Sequence, residues 1–241
     1  MNVQKTVQRY LDNDLLDRML DEALYPESLK RWRLAESRRL HELVAEYPNA
    51  RVIDFACGDG RHLESLRQAG LINRGLGIDI DPTAIEKAQS ANGQNNPLNK
   101  PTIEFLAGSM DDPSLSSIFL DSHSELTGDV IKPVDVVYCL FSTLLATDDP
   151  GNAFNNMMRL LKPGGTAFLS VYAEASVPDR IRWYEAIGEG KLVSQDNGKL
   201  EFESGFTSGF VTKETATKLF GDNIQIESCS DFGYIITQQA I

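Results

Sequence analysis

The 241-residue chain is short of several things, and each shortage closes off a class of function. It has three cysteines, Cys57, Cys139 and Cys229, with no Cys-x-x-Cys pair, so neither a disulfide framework nor a thiol redox motif is available. Only Cys57 has a histidine close by, His62. With three histidines in all, a zinc centre lacks ligands. No apolar run is long enough to span a bilayer, and the opening MNVQKTVQRYLDND has no apolar signal core, so a cytoplasmic location is expected. Positive charge is also scarce. The formal net charge is -12, and the one basic cluster, residues 29–40, reads as the outer face of a helix. A surface that negative repels a phosphate backbone, which argues against nucleic acid as a partner.

What is present fits an ordinary globular chain, with 41% hydrophobic and 24% charged residues. Residues 3–24 carry Val7, Leu11, Leu15, Leu16 and Met19 at helical spacing. A second helix is predicted from about Ser28 to Glu46, closed by YPNA. From there strand and helix alternate. Strands are expected at 51–57, 75–80, 102–107, 134–140 and 166–172, with helices at 61–69, 82–89 and 152–161. Such alternation implies parallel strands joined by right-handed crossovers, a doubly wound α/β sheet. Beyond residue 178 the rhythm changes. Asp196-Asn197-Gly198 between two short apolar runs signals a hairpin, and the runs 224–229 and 234–237 read as an antiparallel pair closing the sheet edge.

The stretch VIDFACGDGRHL, residues 52–63, is the first strand running into a glycine turn. In an open α/β sheet, ligands sit beyond the carboxyl ends of the strands where the strand order reverses. Gly58 and Gly60 let the backbone bend and approach a ligand. A dinucleotide fingerprint would place a third glycine where Leu63 stands, which counts against a dinucleotide oxidoreductase. Asp59, between the glycines, opposes a pyrophosphate and tolerates an ammonium or sulfonium. Asp79 ends the second strand nineteen residues beyond Gly60, where a carboxylate can accept both hydroxyls of a ribose.

These residues resemble the class I S-adenosylmethionine-dependent methyltransferases: Asp-x-x-Cys-Gly-x-Gly, then GIDI at 77–80, EFLAGSMDD at 104–112, VDVVYCLFSTL at 134–144 and LLKPGGTAFLSV at 160–171. The resemblance spans residues 51–173. It implies S-adenosyl-L-methionine as cofactor and S-adenosyl-L-homocysteine as product. It also implies that the backbone around Ala56, Gly58 and Gly60 surrounds the methionine part, with Asp54 orienting its ammonium. Asp79 would hold the ribose, Ile80 pack on adenine, Ser109 and Met110 flank the adenine edge, and Leu140 offer its backbone near the methionyl group. Ser109 stands where many relatives carry aspartate.

More narrowly, residues 24–40 resemble the N-terminal lid of glycine-type and amino-sugar N-methyltransferases. On that resemblance Tyr25 and Arg33 close over the cofactor, with Arg33 pairing with its methionine carboxylate. The expected organisation is a helical lid over 1–47 and a core over 48–241 with an insert at about 178–212. Tyr25, Phe141, Tyr172 and Glu174 are the expected acceptor contacts, and Tyr25 and Tyr172 the candidates for a catalytic role. The expected activity is methylation of a small molecule, at nitrogen, without metal. An O-methyltransferase, a protein or RNA methyltransferase and a non-catalytic cofactor-binding subunit stand as the alternatives.

Overall fold

The computed structural model describes residues 15–94, 102–110, 112 and 133–241. Val7 and Leu11 of the expected first helix, and His123, lie outside the described residues. The described chain opens with α1 (Leu15–Met19) and a 3-10 turn, Glu22–Leu24, capped by Asp21, whose carboxylate accepts from the Ala23 N–H. In α2 (Glu27–Val44) a buried stripe recurs every three or four residues through Leu29, Trp32, Glu36, Leu40 and Val44. A glutamate on that stripe is not what an apolar periodicity leads one to expect.

Alternation follows: β1 (Ala50–Phe55), α3 (Arg61–Gln68), β2 (Ile72–Asp79), α4 (Pro82–Gln94), β3 (Thr102–Ala107), β4 (Val134–Cys139), α5 (Pro150–Arg159) and β5 (Leu161–Tyr172). Both α4 and α5 open on proline, which lacks only an N–H that would be unpaired there in any case. Asp81 caps α4 by accepting from the Thr83 N–H at 2.8 Å. The remaining elements are α6 (Val177–Ala186), β6 (Leu192–Asp196), β7 (Lys199–Phe202), β8 (Thr207–Gly209), α7 (Lys213–Phe220), β9 (Gln225–Cys229) and β10 (Gly233–Gln239).

Seven strands form one mostly parallel sheet in the order β3-β2-β1-β4-β5-β10-β9. β1 runs parallel to β2 on one side (Ile53 facing Leu76) and to β4 on the other (Ile53 facing Val137). The strand order therefore reverses at the carboxyl end of β1. Gly164 bonds to Ala240 near one end of β5 and Ala173 to Phe232 beyond the other, so β10 runs antiparallel to β5. A Rossmann-like fold was the expectation, and this is one.

Two elements differ from expectation. β5 starts at Leu161, five residues early, because Gly164 and Gly165 pair with Ala240 and carry the ladder past the KPGG bend. The insert is a separate three-stranded antiparallel sheet, β6-β7-β8, and not a simple hairpin. Its turn has Asn197 and Gly198 both left-handed (φ 48° and 74°), the backbone of a tight two-residue hairpin. Its third strand, TSG, is too short and too poor in β-branched residues to be read from sequence.

By their contacts the residues gather into two compact units. One comprises the described residues of 15–38, 140–150 and 169–236, and its core is aromatic: Trp32, Tyr172, Trp183, Tyr184, Phe202, Phe206 and Phe232 are buried. The other comprises the described residues of 39–139, with 151–168 and 237–241. Its core is largely aliphatic, with Ile53, Leu63, Leu66, Ile78, Val136, Val137 and Met157 about the strands β1, β2 and β4. Among the described residues, no helix is long and apolar enough to cross a membrane.

Candidate functional site

In the second unit, β1 leads into a turn with three left-handed residues in five: Ala56 (φ 58°), Gly58 (54°) and Gly60 (76°). Alanine carries a Cβ penalty in that conformation, so the turn is held from outside. The Cys57 N–H donates to the Ile78 carbonyl at 3.1 Å, and the Gly58 N–H to Asp79 Oδ2 at 2.8 Å. The other Asp79 oxygen, Oδ1, accepts from the Asp81 N–H at 2.9 Å, and the Asp79 carbonyl from the Gly108 N–H at 2.8 Å. One residue at the end of β2 thus fixes both the glycine turn and the loop after β3. Each carboxylate oxygen retains a second lone pair for a ligand hydroxyl. Burial pushes the Asp79 carboxyl above its ordinary value, and the backbone N–H groups only partly offset this.

Gly60 has a packing reason as well as a conformational one. A Cβ there would lie 2.6 Å from the Phe105 ring, and one on Gly77 would lie equally close to the same ring. Phe105 occupies the space these two glycines leave, a contact the sequence did not disclose.

Asp54 and Tyr138 face each other in the β1–β4 register, both buried. Burial first, and then the Asp54 charge, push the Tyr138 phenol well above its ordinary value, so it stays protonated beside the carboxylate. Cys57 is buried and its thiol is raised, chiefly by burial and further by Asp54 and Asp79, which leaves it inert. Ile80 keeps 43% of its surface exposed next to Asp79. Ser109 is half-buried, and the buried Met110 is held through its carbonyl by Asn156 Nδ2 at 3.2 Å. One argument made from the sequence needs correction. Asp59 is gripped by Arg61 through Nε and Nη2 at 2.8–3.1 Å, so its charge is answered within the chain and is not the free carboxylate that argument assumed. Burial alone would raise its carboxyl; the Arg61 bonds and charge prevail and lower it.

In the first unit, Phe141 and Ser142 are both left-handed, at φ 62° and 60°. For a phenylalanine this is a strained conformation, of order 1–3 kcal/mol, and it persists because the surroundings over-determine it. The Phe141 N–H donates to Ser170 Oγ at 2.9 Å and to Glu36 Oε1 at 3.3 Å. The Ser142 N–H donates to the Ser170 carbonyl at 2.9 Å, and Ser142 Oγ accepts from the Tyr172 N–H at 3.1 Å. Glu36 is fully buried and accepts from the Ser170 hydroxyl and, at 2.5 Å, from Arg33. The Arg33 guanidinium lies 3.6 Å from the centre of the Phe141 ring. The strained turn thus delivers Phe141 into a cluster of rings. Tyr25 and Trp183 meet edge-on at 5.6 Å, Trp32 and Tyr172 stand 5.1 Å apart, and Phe232 lies 5.6 Å from both of the latter.

Of the residues expected in this region, the structure brings Tyr25, Arg33, Phe141 and Tyr172 together. Leu140 precedes the strained pair, its carbonyl taken by Thr143. Glu174 is exposed, at the start of a 3-10 turn. The Tyr25 hydroxyl donates to the Met19 carbonyl at 2.8 Å, which occupies its proton. Burial pushes the Tyr172 phenol well above its ordinary value, so it too is a neutral donor. Sequence reasoning missed Glu36, Arg180 and Trp183 as members of this region. Glu36 was within reach, four residues after Trp32 on one helical face; Arg180 and Trp183 carried no signal. Among the described residues no group of three or more histidine, cysteine or acidic side chains could hold a metal ion.

Against this geometry stand the comparisons with known proteins. A family model described as a methyltransferase domain matches residues 7–204. No curated protein matches the sequence. Solved structures do. Magnesium protoporphyrin IX methyltransferase from Synechocystis, with S-adenosylhomocysteine bound, is 15% identical with a TM-score of 0.61, each chain covered in full. The 1,6-didemethyltoxoflavin-N1-methyltransferase of Burkholderia thailandensis is 16% identical at 0.60, covering 99% of this chain and 87% of its own. The N-methyltransferase NodS of Bradyrhizobium japonicum is 16% identical at 0.57, covering 100% of this chain and 99% of its own.

Proposed function

The chain belongs to the methyltransferase domain family and is an S-adenosylmethionine-dependent methyltransferase, and from that premise we propose that it methylates a small molecule at nitrogen. The observation that carries the proposal is the ring cluster of the first unit, in which Tyr25, Trp32, Tyr172, Trp183 and Phe232 gather with the strained Phe141. Aromatic faces bind planar molecules and attract amines in their cationic form, whereas a long flexible chain gains little from them. The net charge of -12 weighs the same way, against a polyanionic acceptor.

The residues of the second unit suit the cofactor. The left-handed turn brings bare backbone to the sheet's switch point, Asp79 has lone pairs to spare for ribose hydroxyls, and the exposed Ile80 offers an apolar face to adenine. Bound there, the cofactor supplies an electrophilic methyl group on a sulfonium. In this reading Ala56, Gly58, Gly60 and Asp54 surround the methionine part, and Ser109 and Met110 flank the adenine. The Leu140 backbone and Arg33 serve the methionyl group and its carboxylate. Tyr25, Phe141, Tyr172 and Glu174 serve the acceptor. Their work is alignment and exclusion of water, since an amine that arrives neutral needs no base. We also assign residues 1–47 as a lid over a core of 48–241 with its insert at about 178–212. Deleting residues 1–24 should lower turnover at least tenfold while S-adenosylhomocysteine still binds; unchanged turnover would remove the lid.

Incubation with methyl-labelled cofactor tests the function. A panel of small amines, small alcohols and phenols, cellular protein and RNA is offered in parallel, and the labelled atom is located by mass spectrometry. Label on an amine nitrogen is the expected result. Label on oxygen alone would replace the nitrogen assignment, and label only in protein or RNA would overturn the small-molecule reading. No transfer despite cofactor binding would mark a non-catalytic subunit.

A further inference from the structure

Leu29, Trp32, Leu40 and Val44 make the buried stripe of α2 apolar except at Glu36, which has 0% of its surface exposed. Taking a carboxylate out of water is costly, and an apolar side chain at that place would bring no such cost. Stability therefore does not explain the glutamate. What no apolar side chain could do is hold donors from separate parts of the chain. Oε2 accepts from Arg33 Nη1 at 2.5 Å, about one helical turn earlier in α2. Oε1 accepts from the Ser170 hydroxyl of β5 and, at 3.3 Å, from the N–H of Phe141 beyond β4.

The two oxygens have separate duties. The Ser170 hydroxyl gives its one proton to Oε1, which leaves its lone pairs for the Phe141 N–H at 2.9 Å, and the strained φ of 62° is held. On the other side the Arg33 side chain, 14% exposed, is bonded to Oε2 and lies over the Phe141 ring, 3.6 Å from its centre. An arginine on an open helix face samples many rotamers. This one is fixed before any ligand arrives, so binding does not have to order it. Two effects of Glu36 oppose each other: its charge weakens the field of Arg33, and its bond fixes where Arg33 stands. Ser170 and Phe141 draw on that same charge, so the fixing prevails.

We infer that Glu36 is a positioning residue for the cofactor, acting through Arg33: it holds the guanidinium that serves the methionine carboxylate and ties it to the strained turn at Phe141. The inference rests on the reading above in which Arg33 serves that carboxylate, and it adds the residue on which Arg33 depends.

Calorimetry on the full-length protein tests this with two probes, S-adenosylhomocysteine and 5′-methylthioadenosine, which keeps the adenosine and sulfur but lacks the amino-acid end. The ratio of their affinities reports recognition of that end alone. Glu36→Gln keeps an oxygen for Ser170 and for the Phe141 N–H, a donor that fixes the orientation of the amide, and turns an NH2 group on Arg33. The ratio should fall at least tenfold in Glu36→Gln and in Arg33→Met, and no further in the double variant than in Arg33→Met. Affinity for 5′-methylthioadenosine within threefold of the parent reports that each variant is folded. Where Arg33→Met, which leaves the carboxylate without its cation, fails that check, the double variant stands in for it. Ser170→Ala takes another donor from the same carboxylate; it should lower stability in urea but leave the ratio within threefold. An unchanged ratio in Glu36→Gln beside a fallen one in Arg33→Met would overturn the inference and leave the Arg33 assignment standing, whereas an unchanged ratio in Arg33→Met would end both. A ratio that rises in Glu36→Gln, or that falls as far in Ser170→Ala, would equally overturn the inference.

Discussion

The glycine turn of one unit and the ring cluster of the other are both built around residues forced into left-handed backbone, yet they are assembled by opposite means. The turn spans Ala56 to Gly60 and is fixed through its own backbone N–H groups, bonded to the end of one neighbouring strand, β2. The cluster draws Tyr25 from the link before α2, Trp32 and Glu36 from α2, Phe141 from just beyond β4, Ser170 and Tyr172 from β5, Trp183 from α6 and Phe232 from before β10. The first works through backbone geometry, which five residues dictate. The second works through side chains up to two hundred residues apart, so single substitutions should break it harder.

The largest effect is expected at Glu36. Glu36→Ala strips Ser170, the Phe141 N–H and Arg33 of their common acceptor inside the core. Breaking a buried pair of this kind costs about 3–5 kcal/mol, and Glu36→Gln, which keeps an acceptor oxygen, should lose less. Urea denaturation measures both. A loss below about 1 kcal/mol in Glu36→Ala would show that the strained turn is held by other contacts.

Asp79 comes next, through cofactor affinity. Asp79→Asn should weaken S-adenosylhomocysteine binding by about a hundredfold, the worth of one to two charge-assisted hydrogen bonds. The pH dependence has a definite sign. The folded-state carboxyl is raised by burial, and it is the ionised form that accepts strongly from hydroxyls. Affinity should therefore fall with decreasing pH from above the usual carboxylate range, and the asparagine variant should lack that fall. For stability the sign is opposite. A raised acid contributes stability below its unfolded value and loses it as pH rises through the folded value. The stability of the parent should therefore fall with rising pH through that range, by an amount missing in Asp79→Asn. That variant loses instead, at every pH, one of the two backbone N–H bonds that the carboxylate accepts. Calorimetry across pH, with thermal unfolding of both forms, checks the pair.

Gly77→Ala is a smaller perturbation, since its Cβ would stand 2.6 Å from Phe105 and 2.8 Å from Cys57 Sγ. Overpacking of that kind costs about 1–3 kcal/mol. Phe105→Leu in the same chain should return part of the loss, and a double-mutant cycle in urea would show a coupling of at least about 0.5 kcal/mol. Strict additivity would separate the glycine from the ring.

The same contrast explains what the sequence disclosed. Strand-helix alternation, the glycine turn and Asp79 at the end of β2 are local patterns, and all were legible. So was the tight turn at Asn197-Gly198, where positive φ leaves a compositional mark. Phe105 beneath Gly60 and Gly77 was not, because a glycine that makes room for a distant ring looks like one that makes a turn. Arg180 was invisible for a stronger reason. An arginine in VPDRIRWYEA reads as the polar face of a helix, and only tertiary packing turns it inward onto Tyr172. Tyr25 and Tyr172 were found as residues but not as environments: one hydroxyl is spent on the Met19 carbonyl, the other lacks any partner.

Asp59 offers the smallest effect and the sharpest control on the backbone half of the contrast. Its charge between two glycines looked like a selector for a cationic ligand, but its carboxylate is directed at Arg61 in a half-exposed ion pair. Surface pairs of that kind contribute about 0.2–1 kcal/mol, and a neutralised carboxylate has little field left to impose on a bound sulfonium. Asp59→Ala should therefore shift the affinity for both S-adenosylmethionine and uncharged S-adenosylhomocysteine by less than about threefold, equally for the two. Arg61→Ala, which frees the carboxylate, should instead favour the sulfonium form, by an amount that shrinks as salt is added. A tenfold loss of the sulfonium ligand alone in Asp59→Ala would restore the acid as a charge selector. The turn would then act through a side chain as well as through its backbone.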